Sequence, residues 1–123
     1  MKNILVVDDQ EQIAELAELI LTSSGYSCTV ANSGKYALEL IYDKNNKYDL
    51  ILMDLAMPEF SGVDVLKKLK QDGILAKNNV VFFSASSLTP AEKEDLKKIG
   101  ALGAMNKPFT KAELLSFVEK HTK

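Results

Sequence analysis

The chain has 123 residues, 46% hydrophobic and 26% charged, which suits one globular domain with a proper core and leaves no room for two. A net charge of -2 and a pI near 5.4 supply no basic field, so direct contact with nucleic acid or an anionic membrane is not expected. No apolar run reaches the length of a membrane span, and the first strand starts too early for a signal peptide, which argues against membrane insertion. Cys28 is the only cysteine, so no internal disulfide can form and a cytoplasmic setting is expected. His121, the only histidine, lies beside the C-terminus and reads as a solvated tail residue. A histidine-based zinc site or catalytic triad therefore lacks parts.

In chain order, Lys2 to Val7 reads as a buried strand that stops abruptly at Asp8-Asp9. Ile13, Leu16, Ala17 and Ile20 then fall at helical spacing, with Gly25 as a stop. Ser27 to Ala31 is a weaker strand. Ser33 can cap a second helix reaching about Asp43, with Ala37, Leu40 and Ile41 inward. A polar loop, Lys44-Asn45-Asn46-Lys47, follows. Leu50-Ile51-Leu52-Met53-Asp54 is oily without alternation, the pattern of a strand covered on both faces. Pro58 cannot continue it, so Asp54 is expected at the strand's carboxyl end. Ser61 and Asp64 resemble a cap and first turn, with Val65, Leu66 and Leu69 forming the apolar stripe of a third helix that ends at Gly73. Asn79 to Ser84 is a fourth strand. Thr89-Pro90-Ala91-Glu92 fits a capping box, opening a helix with only Leu96 and Ile99 to bury. Ala104 to Lys107 is the last strand, and Thr110-Lys111-Ala112-Glu113 caps a helix with Leu114, Phe117 and Val118 inward.

Strand and helix alternate five times with short connections, which calls for an α/β fold with a parallel sheet covered on both faces and one domain over residues 1–123. Parallel strands bring their carboxyl ends to one edge, where ligands bind in such sheets. That edge collects Asp8, Asp9, Asp54, Ser84 and Lys107. From the strand alone, Asp54 reads equally as a solvated strand-end acid or as a working group. Crowded carboxylates repel and raise at least one pKa unless a cation neutralises them, and an oxygen-only acidic set suits Mg2+. A phosphoryl group arriving there would share its charge with the metal, Lys107 and Ser84 while a carboxylate oxygen attacked phosphorus in line. Asp54 is the best-placed nucleophile.

With the acid pair Asp8-Asp9, Asp54-x-x-Met57-Pro58, Ser61-Gly62-x-Asp64, Ser84-Ala85 and Lys107-Pro108-Phe109 in this order, the chain resembles the receiver domain of two-component response regulators over essentially its whole length. The resemblance implies a flavodoxin-like doubly wound sheet of order 2-1-3-4-5 with five helices. It implies that Asp54 accepts a phosphoryl group from a phosphohistidine on a sensor histidine kinase or a histidine phosphotransfer protein. It further implies that Asp9, Asp54 and the Ala56 carbonyl ligate Mg2+, with Asp8 acting mainly through water. Lys107 and Ser84 would contact the phosphoryl oxygens, and the small Ala85 would leave the acceptor accessible. A downstream effector protein would read the modified state. The domain would assist its own phosphotransfer and dephosphorylation without being an enzyme acting on a separate substrate.

The chain departs from that family at Ala104, where an aromatic residue commonly stands three positions before the lysine. An alanine has no rotamer to switch, so a signal is expected to travel through the backbone of the region from Ser84 to Lys98. Met105 should point the other way. In that family the positions held here by Ala56 and Ser86 tend to tune the lifetime of the modification, and both residues are small here. Gln12, Ile13 and Phe109 are candidates for docking the phosphodonor; core packing competes for Ile13, and a hydrophobic staple for Phe109. With the sequence read to Lys123, a stand-alone receiver, monomeric or weakly dimeric, is expected unless these residues are part of a longer protein. A phosphorylation-independent binding module is the alternative, resting on Ala104 alone. A phosphatase would want an acid at position 56, and a nucleotide or flavin binder would want glycines after the first strand.

Overall fold

The computed structural model describes residues 1–85 and 88–122. Five strands, β1 (Asn3–Val7), β2 (Ser27–Ala31), β3 (Leu50–Asp54), β4 (Val80–Ser84) and β5 (Gly103–Asn106), alternate with five helices. The helices are α1 (Glu11–Ser23), α2 (Gly34–Tyr42), α3 (Gly62–Gln71), α4 (Pro90–Ile99) and α5 (Lys111–His121). All strand pairs are parallel, in the order β2-β1-β3-β4-β5. The expected flavodoxin-like sheet is therefore present, and every residue of the apolar runs in β3 and β4 is buried.

Alternation along each strand divides the core in two. Leu5, Val7, Ile51, Met53, Val80 and Phe82 face the layer of α2, α3 and α4. Ile4, Val6, Leu50, Leu52, Val81 and Phe83 face α1 and α5. Ala104 belongs with the first face and Met105 with the second, as alternation requires.

The helix starts are as the sequence indicates. Ser61 with Asp64, Thr89 with Glu92 and Thr110 with Glu113 each form a reciprocal capping box, and Ser33 accepts from the Tyr36 N–H. Each such cap contributes about 1 kcal/mol by satisfying donors that have no partner within the helix. Gly25, Gly73 and Gly100 have φ of 94°, 74° and 128° and stop the helices before them.

Three details differ from the sequence reading. In α1 the buried residues are Ala14, Ala17, Ile20 and Leu21, while Leu16 is 44% exposed. The two alanines let the helix approach the sheet closely, which turns Leu16 outward. β5 is displaced by one residue and stops at Asn106, because the Lys107–Pro108 peptide begins the turn. His121 is not a loose tail residue: α5 runs to it, its ring lies 4.5 Å from that of Phe117, and its Nδ1 is 2.8 Å from the Phe117 carbonyl. The i,i+4 spacing in the last turn of α5 holds it there. Ser86 lies outside the described residues.

Candidate functional site

Because every strand runs the same way, Asp8 and Asp9 leave β1, Asp54 closes β3, Ser84 closes β4 and Lys107 follows β5 at one edge. Register keeps them there, with Asp54 opposite Phe83 and Ser84 opposite Asn106. Asp8, Asp54 and Ser84 are buried, and Asp9 is the most exposed of the three acids.

Asp8 Oδ1 accepts from the Gln10 N–H at 2.9 Å. Its Oδ2 lies 2.7 Å from the Lys107 ammonium, which also stands 3.4 Å from Asp54 Oδ2. Asp54 Oδ1 accepts a long bond of 3.4 Å from the Ala56 N–H. The Lys107 side chain is itself almost fully buried, and its ammonium sits 4.7 Å from the centre of the Phe83 ring. A cation over an aromatic face is attracted by the ring quadrupole, so the ring helps fix where the charge stands. Phe109 packs edge-on against the same ring, with centroids 6.2 Å apart.

One cation among three acids leaves the cluster short of positive charge. Burial pushes the Asp54 carboxyl up to about 6, the Asp8 carboxylate adds to the rise, and Lys107 and the Ala56 N–H oppose it. Asp8, Asp9 and Asp54 each offer an oxygen within 4.8 Å of the others. Asp8 Oδ2 is buried, and its partner is the Lys107 ammonium. An oxygen-only set of three carboxylates this close together fits a hard divalent cation such as Mg2+.

The loop beyond Asp54 is shaped by close approach. A Cβ on Gly62 would lie 2.3 Å from the Asp54 carbonyl oxygen and 2.9 Å from the Phe82 ring, so only glycine lets α3 start against the acceptor strand. The Gly62 N–H donates to the Leu55 carbonyl at 3.1 Å. Glu59 adopts φ of 67° in that loop, the left-handed region that costs a side-chain-bearing residue about 1 kcal/mol.

Residues 4–119 match the family model of the response regulator receiver domain. The chain belongs to that family. It is 35% identical over 120 residues to the transcriptional regulatory protein DltR of Streptococcus agalactiae, covering 98% of this chain and 51% of that protein. The chain thus spans about half the length of the curated relatives it matches. Among solved structures, the receiver domain of the Francisella response regulator 1452 superposes with a TM-score of 0.88 at 33% identity, over 99% of this chain and 97% of that one. The Thermotoga maritima response regulator TrrA, solved in complex with Mg2+-BeF, gives 0.82 at 31% identity over 98% and 99%.

A receiver domain is a signalling domain of two-component systems, and this one brings together the residues read from its sequence: Asp8, Asp9 and Asp54 cluster, Lys107 pairs with Asp8 and Asp54, and Ser84 and Ala56 lie on adjoining segments. Ile13 and Phe109 are both partly buried against the α1 and α5 layer, which agrees with the packing reading of each, while Gln12 is exposed. Ala104 borders a cavity of about 190 Å3 between α4 and α5. Two features escaped the sequence reading. Asn32 donates to the Asp8 carbonyl at 3.0 Å, tying the end of β2 to the site, and Phe83 lies beneath the lysine. An asparagine after a strand gives no distinctive signal, and Phe83 was legible only as core.

Proposed function

We propose that residues 1–123 act as one receiver unit whose Asp54 accepts a phosphoryl group in a two-component or phosphorelay pathway, with Mg2+ as cofactor. The gathering of Asp8, Asp9 and Asp54, with the Lys107 ammonium paired to Asp8 and Asp54, is the observation that carries this reading. An Asp54 carboxylate oxygen attacks the phosphorus of a phosphohistidine; the new P–O bond forms as the P–N bond breaks, and the imidazole leaves with the electron pair. A carboxyl raised to about 6 is still mostly ionised at neutral pH and is a better nucleophile than an ordinary aspartate. Lys107, already 3.4 Å from Asp54, neutralises the charge carried onto the phosphoryl oxygens. The Ser84 hydroxyl donates to one of those oxygens. Asp9, Asp54 and the Ala56 carbonyl would hold Mg2+, with Asp8 acting through water, and the bound ion would supply charge neutralisation for the transferring group. Water later attacks the phosphorus of the acyl phosphate, the P–O bond to Asp54 breaks and inorganic phosphate leaves with the Asp54 carboxylate restored, so the domain assists both its loading and its release.

The phosphodonor is a sensor histidine kinase or histidine phosphotransfer protein, and a downstream effector protein reads the result. Gln12, exposed near the site edge, belongs to the donor's docking surface. The chain works in the cytoplasm as a monomer or weak dimer, without contacting nucleic acid itself. No helix among the described residues is long and apolar enough to cross a membrane. Incubation with acetyl phosphate and Mg2+ followed by intact mass measurement should show one added phosphoryl group, absent with EDTA and absent in Asp54→Asn. An unmodified wild type, or an adduct that survives in Asp54→Asn, would overturn the assignment and favour the phosphorylation-independent module.

A further inference from the structure

A second cavity, of about 390 Å3, opens between the segment joining α2 to β3 and the segment joining α3 to β4. Both segments precede their strands, so the cavity lies at the opposite edge of the sheet from Asp54, about 15 Å away along a five-residue strand. Its apolar walls are Ile41, Ile74 and the rings of Tyr42 and Tyr48, and Lys44, Lys47 and Lys77 stand around them. None of these three lysines forms an ion pair among the described residues. Asp43 is the only acid lining the cavity, and its carboxylate already accepts from the Asn45 N–H at 2.9 Å. Three lysines without an ion pair stand against two engaged acids, Asp43 in the lining and Asp72 on the Tyr42 hydroxyl, a local excess of positive charge in a chain of net charge -2.

The walls are fixed from both sides. The Tyr42 hydroxyl donates to the Asp72 carboxylate, joining the ends of α2 and α3. Asn46 donates to the Leu40 carbonyl at 3.0 Å and Asn78 to the Ile74 carbonyl at 2.9 Å, holding each segment to the turn before it. A preformed cavity within the size range of small-molecule sites, apolar and aromatic inside and cationic at its mouth, is complementary to a flat ring that carries an anionic group.

We propose that this cavity binds a small aromatic anion of the nucleoside monophosphate class, its base against the tyrosine and isoleucine walls and its phosphate among Lys44, Lys47 and Lys77. The site is separate from the phosphoryl acceptor and needs neither Mg2+ nor modification of Asp54. Aromatic stacking and phosphate charge contribute together, so neither half of the ligand should suffice.

The test is titration of the 15N-labelled chain in EDTA with AMP, and separately with adenosine and with inorganic phosphate, following backbone amide shifts. AMP should give saturable shifts centred on 41–48 and 74–78, with adenosine and phosphate each far weaker. The double variant Lys47→Glu/Lys77→Glu, its fold verified by an otherwise unchanged spectrum, should weaken AMP binding by about tenfold or more. The proposal is overturned by the lack of saturable shifts at millimolar AMP, by shifts centred on Asp54 instead, by phosphate alone matching AMP, or by a charge-reversed variant that binds as well as the wild type.

Discussion

Replacing Asp54 by asparagine should stabilise the metal-free protein, because it removes a charge that the fold holds at a cost. The Asp54 carboxyl rises from 3.8 to about 6 on folding, through burial first and Asp8 second. The folded state therefore binds this proton more tightly than the unfolded chain does. Stability falls as pH rises between those values, and the penalty is complete above about 6 and gone below 3.8. A rise of roughly two units is worth about 2 to 3 kcal/mol at neutral pH, which for a domain of this size moves the melting temperature by about 6 to 12 °C. Asparagine keeps the shape and the acceptor for the Ala56 N–H while mimicking the uncharged form. Thermal melts of both proteins in EDTA at pH 7 and pH 4 should show a gap at the higher pH that closes at the lower. Saturating Mg2+ should shrink the gap at pH 7, since the wild type gains more from a cation. An Asp54→Asn variant that melts lower in EDTA, or a gap independent of pH, would refute the electrostatic account.

Lys107→Ala should act in the opposite sense, destabilising the metal-free protein by about 3 kcal/mol in urea titrations, because the Asp8 and Asp54 charges lose a buried counter-charge that they share; Mg2+ should restore part of the loss. Gly62→Ala should cost about 1 to 3 kcal/mol in the same assay, since the new methyl meets the Asp54 carbonyl and the Phe82 ring. A beryllofluoride adduct at Asp54 should shift the amides of Ser84, Ala85 and α4 although Ala104 has no ring to swing. Amide silence across that whole segment would show that the signal leaves by another route.

The sheet and its order were legible because the strands announce themselves as short apolar runs that stop at chemistry: Val7 before two acids, Met53 before one, Phe83 before a hydroxyl. Capping boxes at Ser61, Thr89 and Thr110 marked helix starts from side chains that act locally, which sequence reports well. Rotation of α1 was not legible. Both Leu16 and Leu21 fit a helical stripe, and the choice between them depends on how closely Ala14 and Ala17 let the helix approach the sheet. The tie from Asn32 to Asp8, the position of Phe83 beneath Lys107 and the docking of His121 on Phe117 depend likewise on packing between segments. The site residues themselves were readable because parallel topology converts strand ends into neighbours without any knowledge of side-chain packing.

The reciprocal caps have a bearing on how this edge can change. Helices α3, α4 and α5 all begin at the sheet edge that carries the acidic cluster, and each satisfies first-turn donors with its own hydroxyl and carboxylate, α3 adding one bond from Gly62 to the Leu55 carbonyl of the loop in front. Such a helix does not fray when the preceding loop shifts, lengthens or is exchanged. The surroundings of the acceptor can therefore be redrawn, by movement within one molecule or by grafting loops between relatives, while the scaffold behind them stays wound.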